Sequence, residues 1–209
     1  MKNQNFSPEK PSPLKRFWKF LNEDTWQSWL VSLVLLIVII KFVFFPLLSF
    51  VTGSPLPLVV VESCSMYHQG NFDDWWFRYS AQYENFDIEK KQFESFPLKN
   101  GFTKGDIIFV WGRSAPKLGD VIIFTPNPGS TAVHPIIHRV VTTSPLGTKG
   151  DNGRTNPRQL DGNNEQNLNE KNISQNQVVG KAAFKIPLLG WIKLVFFEFT
   201  RESEQRGFC

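Results

Sequence analysis

Cysteine is nearly absent from this chain. Cys64 and Cys209 are the only two in 209 residues, and so far apart they define no disulfide framework and assign no redox compartment. An excess of one charge is also missing once the amino-terminal quarter is set aside. Residues 1–28 carry five basic and three acidic groups and Lys41 adds one base, which leaves 17 basic against 16 acidic residues downstream, so all but one unit of the net charge of +4 belongs to the amino-terminal end. A near-neutral remainder gives a nucleic-acid partner no electrostatic footing. Internal repeats are lacking too: the phrases Gly105-Asp106-Ile107-Ile108-Phe109-Val110 and Gly119-Asp120-Val121-Ile122-Ile123-Phe124 match each other, but two copies at so short a period make no solenoid. The chain beyond its first fifty residues is enough for one domain of ordinary size and too little for two.

Long apolar runs are scarce as well, with one exception. Trp29 to Phe50 reads WLVSLVLLIVIIKFVFFPLLSF, and about 20 helical residues cross a hydrocarbon core of about 30 Å. A basic flank at Lys2, Lys10, Lys15, Arg16 and Lys19 favours a cytoplasmic amino terminus, and Trp26 and Trp29 suit the headgroup layer. Lys41 would cost about 2.5–3.5 kcal/mol at the bilayer centre, but it lies past the middle and can snorkel outward. Pro46 is expected to end or kink the helix. The run exceeds the 7–15 residues of a cleavable signal core. The expected layout is a cytoplasmic basic tail over 1–28 and a single-pass signal anchor over 29–50. A domain over 51–199 then faces the extracytoplasmic side or a lumen, and a polar tail covers 200–209.

Just past the anchor, Val59 to His68 reads VVVESCSMYH. Strand alternation through this run would put the Ser63 and Ser65 hydroxyls on one face and the Cys64 thiol on the other. Alone, Ser-x-Ser-Met reads better as the polar end of a strand than as a nucleophile motif. Residues 71–102 form an aromatic, charged excursion that fits neither helical nor strand period. It either touches lipid through Trp75 and Trp76 or packs onto the domain. The two Gly-Asp phrases each open an apolar β-branched strand, with Asp106 and Asp120 as turn formers. Pro135 to Val141 is a further strand carrying His138 and Arg139, while His68 and His134 read as loop residues. Asp151 comes next, in a turn. Residues 152–177, rich in Asn and Gln, are expected to be a long exposed loop containing the acceptor triplet Asn172-Ile173-Ser174. Val178 to Leu194 returns to strand-like text with a Pro/Gly break, and Ile192 to Phe199 suits a short interfacial helix.

The order of these motifs resembles the type I signal peptidases: an anchor, Ser63-x-Ser65-Met66, the Gly-Asp strands, His138-Arg139-Val140, Gly150-Asp151-Asn152, then Val179-Gly180-Lys181 with Ile186-Pro187 and Leu189-Gly190. Histidine before Arg-Val, where the bacterial branch has lysine, is the pattern of the archaeal and endoplasmic-reticulum branch. The resemblance spans roughly Val59 to Lys193 apart from the excursion and the Asn-rich loop. It departs at His68, where proline is usual, and at Gly153, where a second asparagine is common.

The resemblance implies a mainly β domain, a partly open barrel of curved sheets hung from the amino-terminal transmembrane helix, with a short carboxyl-terminal interfacial segment. It also implies a membrane serine endopeptidase that removes signal peptides from secretory preproteins by acyl transfer. Ser65 is then the nucleophile, His138 the base and Asp151, preferred over the more mobile Asp161, the orienting acid. Ser63 and the Ser65 N–H would form the oxyanion hole. The chemistry calls for no cofactor and no metal. The partners are signal peptides, the bilayer and, through it, the translocation machinery, in the plasma membrane or endoplasmic reticulum. Two other readings remain open: an inactive anchored β-domain that binds an exported partner, and a related peptidase with narrow non-secretory substrates.

Overall fold

The structure, a computed structural model, describes residues 12–200 and 206–209. Lys2 and Lys10 of the basic flank and residues 201–205 of the polar tail lie outside them. The chain divides into two compact units, residues 1–48 and 49–209.

In the first unit, α1 (Pro13–Leu21) starts with proline in its first turn and Ser12 as its cap, which accepts from the Lys15 N–H. Thr25 likewise caps α2 (Trp26–Ile39) by accepting from the Ser28 N–H. From there the helix continues through a π segment (Ile40–Phe44) into α3 (Phe45–Thr52). The whole stretch Trp26–Thr52 is long and apolar enough to cross a membrane. The helix does not end at Pro46. A proline ring crowds the carbonyl four residues back, here Phe42, and Phe42 lies inside the π segment, where the wider turn makes room for it.

The second unit is built on one antiparallel sheet. Its strands are β1 (Leu58–Val60), β2 (Ile107–Trp111), β3 (Val121–Phe124), β4 (Ile136–Thr143), β5 (Leu146–Lys149) and β6 (Val178–Ile186). Their spatial order is β1-β2-β6-β3-β4-β5, so β1 and β5 are the two edges of an open sheet. Register breaks at Phe109/Val110, Ile123/Phe124 and Val140/Thr142 are the bulges that let such a sheet curve. The two matching phrases become two matching turns: Gly105 and Gly119 take positive φ, Asp106 accepts from the Thr103 N–H, and Asp120 accepts from the Lys117 N–H.

Strand β3 is buried on both faces, which explains its unbroken apolar text. Val121 and Ile123 join Val61, Met66, Phe102, Ile108 and Val110 on one side. Ile122 and Phe124 join Val140, Leu168 and Ile173 on the other.

The structure settles one open reading and refines another. Residues 71–102 fold into three short helices, α4 (Phe72–Tyr79), α5 (Ala81–Glu84) and α6 (Lys90–Glu94). Trp75 and Trp76 are buried there with Tyr83, Ile88, Phe93 and Val141, so they pack onto the domain and not into lipid. The helices are too short to establish a period, which hides them in the sequence. The Asn-rich segment 152–177 is irregular and more than half of its residues are exposed, but it is pinned to the domain as a strap. Leu168, Glu170 and Ile173 are buried, Asp161 and Asn169 form a bridge, and the Ile173 N–H donates to the Leu146 carbonyl. Backbone and Asn side-chain hydrogen bonds hold this strap, needing only two apolar anchors.

After β6, α7 (Trp191–Phe197) buries Leu194 and exposes Ile192, Val195 and Phe196. The carboxyl-terminal residues then return: Phe208 packs on Trp191 and Cys209 is disulfide-bonded to Cys64. The two cysteines that define no framework in sequence are therefore joined across 145 residues.

Candidate active site

Strand β1 stops at Val60, and Ser63 to Met66 form a turn closed by the Tyr67 N–H donating to the Cys64 carbonyl at 3.0 Å. The expected strand alternation does not apply here. The two hydroxyls converge all the same, with Ser63 Oγ and Ser65 Oγ 3.2 Å apart. Cys64 is turned to its disulfide with Cys209. Among the described residues, no acceptor takes the Ser65 backbone N–H.

His138 lies in β4 with its ring buried. Gly150, just beyond β5, lies close to both His138 and the backbone of Ser65. A Cβ on Gly150 would stand 2.8 Å from the Ser65 carbonyl oxygen and 2.9 Å from His138 Nε2, too close for any side chain. The other ring nitrogen, Nδ1, is hydrogen-bonded to Glu170 Oε1. Glu170 is itself held. Its Oε1 accepts from Thr148 Oγ1 at 3.3 Å, its Oε2 from the Leu160 N–H at 3.1 Å, and its carbonyl from the Thr148 N–H at 2.9 Å. Ser65, His138 and Glu170 thus succeed one another across a glycine gap. Among the described residues no hydrogen bond joins the serine hydroxyl to the imidazole, and such bonds commonly tighten only around substrate.

The structure places the Asp151 carboxylate on Arg139, Tyr83 and His68, and Glu170 on the His138 imidazole. In β4 and β5, Arg139 pairs with Lys149. Asp151, two residues further on, shares that face, opposite the one His138 occupies. Its carboxylate takes Arg139 Nε at 3.1 Å, Arg139 Nη2 at 2.7 Å, Tyr83 Oη at 2.7 Å and His68 Nε2 at 3.1 Å. Burial pushes the Asp151 carboxyl up, but the Arg139 charge and the His68 hydrogen bond outweigh it and hold the group well below the usual carboxylate range. Burial raises the Tyr83 hydroxyl well above its ordinary value. Lys149 donates to the Gly150 carbonyl at 2.9 Å, and burial pushes its amine down to about 8. Asp161, the rival acid, is exposed and bonded to the Asn163 N–H and Lys171.

Two residues of this neighbourhood escape a reading of the sequence. His68 is buried and stacked on Trp75 at 3.7 Å, not in an open loop. Glu170 is hidden by the polar text around it. Its one signal is the pair Leu168 and Ile173, apolar residues flanking an acid in a segment with almost no others.

No family model matches the chain. Curated relatives do. A protein of Candida tropicalis named signal peptidase complex catalytic subunit SEC11 is 30% identical over 108 residues, covering 48% of this chain and 61% of the relative. Proteins of the same name are 26% identical over 160 residues in Fusarium vanettenii, 72% of this chain and 70% of the relative, and 27% identical over 159 residues in Pyrenophora tritici-repentis, 72% and 69%. The chain spans less than two thirds of the Candida relative's length. The resemblance carried by the motif order is thus matched by sequence similarity to signal peptidase catalytic subunits.

Proposed function

We propose that this chain is a membrane-anchored serine endopeptidase that removes signal peptides from secretory preproteins. The observation that carries this reading is the buried His138, with Nδ1 on Glu170 and with Nε2 and the Ser65 carbonyl oxygen both within 3 Å of the place a Cβ on Gly150 would take. A carboxylate, an imidazole and a hydroxyl in that order are the parts of an acyl-transfer site.

Ser65 Oγ attacks the scissile carbonyl as His138 Nε2 takes its proton. Glu170 fixes the tautomer and offsets the charge of the imidazolium. The oxyanion is met by the unengaged Ser65 N–H and the Ser63 hydroxyl, and one such donor is typically worth about 2.7–4 kcal/mol in the transition state. Collapse breaks the C–N bond, and His138 returns the proton to the leaving amine. Water, deprotonated by the same imidazole, then hydrolyses the acyl ester and frees Ser65. The helix Trp26–Thr52 anchors the enzyme, with the domain on the extracytoplasmic or lumenal side of the plasma or endoplasmic-reticulum membrane. Because the relatives are named as subunits of a complex, further subunits are expected partners.

Detergent-solubilised protein incubated with a signal-peptide-bearing precursor tests the reading. The wild type should cleave after a small residue, and Ser65→Ala and His138→Ala should not. Undiminished cleavage by folded Ser65→Ala removes Ser65 as the nucleophile, and a folded wild type that cleaves nothing leaves a binding domain.

A further inference from the structure

The three helices over 72–94 supply no group to acyl transfer, yet their side chains converge on Asp151 and Gly153, the two residues that flank Asn152 beside the site. Trp75 Nε1 donates to the Asp151 carbonyl at 3.1 Å and Tyr83 Oη to the Asp151 carboxylate at 2.7 Å. Gln82 Nε2 donates to the Gly153 carbonyl at 3.1 Å. The Tyr79 ring covers Gly153 so closely that a Cβ there would stand 2.2 Å from the ring.

Between those two gripped carbonyls sits Asn152, and it holds the nucleophile turn. Its N–H donates to the Ser65 carbonyl at 2.8 Å and its Nδ2 to the Cys64 carbonyl at 2.9 Å. The Asp151 N–H adds a contact to Met66 Sδ at 3.4 Å. On the far side of the serine, His68 stacks on Trp75. The backbone is therefore restrained before, at and after Ser65, and these restraints, beside the Cys64–Cys209 bridge and the Phe102 N–H on the Met66 carbonyl, trace back to the helices.

We propose that the α4–α6 cap positions the nucleophile, with Tyr83, Gln82 and Trp75 acting as positioning residues through Asp151–Gly153. This rests on the peptidase reading. None of these side chains touches the reacting atoms; their part is to fix Asn152, which fixes the carbonyls of Cys64 and Ser65 and so the direction of the Ser65 hydroxyl. Misplacing a reacting group by about an ångström costs up to about 100-fold in rate. Loss of one restraint among several should cost less.

The test uses the full-length protein in detergent with a signal-peptide-bearing precursor, and reads kcat per active site from the acyl-enzyme burst. Tyr83→Phe and Gln82→Ala should each lower kcat about tenfold. KM and the shape of the pH profile should stay as in the wild type, because substrate contacts and the His138–Glu170 pair are untouched. Phe77→Ser, on the exposed side of α4, should match the wild type. A cap that only adds stability would lower the number of active sites and leave kcat per site unchanged, and that result overturns the proposal. Should Tyr83→Phe fold poorly, the half-buried Gln82 decides alone. Cleavage persisting in Ser65→Ala would instead remove Ser65 as the nucleophile, which separates the two failures.

Discussion

Glu170 and Asp151 are both buried carboxylates beside β4, and the strand's alternation decides which of them meets His138. His138 and Arg139 are adjacent, so they face opposite sides; Glu170 pairs with the first and Asp151 with the second. The two acids should then fail differently when changed to amides. Glu170→Gln removes the charge opposite the imidazolium and should lower turnover by about 10⁴, the loss a triad suffers when its acid becomes an amide. Asp151→Asn leaves Arg139 buried without its counter-charge, which should cost about 3–5 kcal/mol of stability. Melting temperature and turnover measured on both variants separate the roles. A stable but dead Asp151→Asn beside an active Glu170→Gln would return the orienting role to Asp151.

Lys149 carries a second prediction at this scale. Its folded amine titrates at about 8 because it is buried, whereas an unfolded lysine titrates near 10.4. Between those values the unfolded chain binds the extra proton, so stability should rise with pH from about 8 towards 10 and show no pH dependence from Lys149 below that window, where the buried charge destabilises fully. Above about 10 the raised Tyr83 hydroxyl works the other way, since the unfolded phenol ionises first. Lys149→Met should flatten the rise. Denaturant midpoints taken at intervals from pH 7 to 10 measure it, and an equal rise in wild type and variant would remove Lys149 as the cause.

At the scale of elements, the sheet is legible because its signals are local. Gly-Asp turns leading into β-branched runs mark β2 and β3, and Pro135 to Val141 marks β4, each to within about two residues of the observed bounds. The serines and the histidine can be found because they sit on or beside those strands. The cap and the strap are illegible for opposite reasons. The cap's helices run four to eight residues and bury aromatics on several sides, so no amphipathic stripe forms. The strap spends most of its residues on backbone hydrogen bonds and few on apolar contact, and composition alone then reads as solvent-exposed. Glu170, which needs the strap folded to reach His138, goes unseen with it. Ile173 is the apolar anchor to test. Ile173→Ala should cost about 2–5 kcal/mol and, by loosening the strap, reduce turnover beyond what the folded fraction accounts for. Leu168→Ala, on the near side of Glu170, should behave alike. If both variants lose stability but keep full turnover per folded molecule, the strap is scaffold only and Glu170 is not what orients the base.

For the whole molecule, the disulfide and the apolar helix bear on the same question from separate directions. A bridge between Cys64 and Cys209 closes a loop of 145 residues, and removing a disulfide of that span costs about 2–5 kcal/mol. Bridges of this kind persist in oxidising compartments and not in a reducing cytosol. A domain placed after a signal anchor with a basic flank is expected on the oxidising side. The bridge also lies one residue from Ser65, so it ties the carboxyl-terminal residues, with Phe208 on Trp191, to the nucleophile turn. In intact cells, a thiol-alkylating reagent should label neither cysteine until a reductant is added, and protease added outside, or inside the lumen for an internal membrane, should reach the domain after Thr52. Cys209→Ser should lower the melting temperature, expose Cys64 to alkylation and leave Ser65 chemistry in place, since neither sulfur has a part in acyl transfer. Free thiols in the untreated wild type, together with protection of the domain from protease, would put it on the cytosolic side and remove the secretory role. Loss of turnover in Cys209→Ser without loss of folding would show instead that the bridge holds the serine in register.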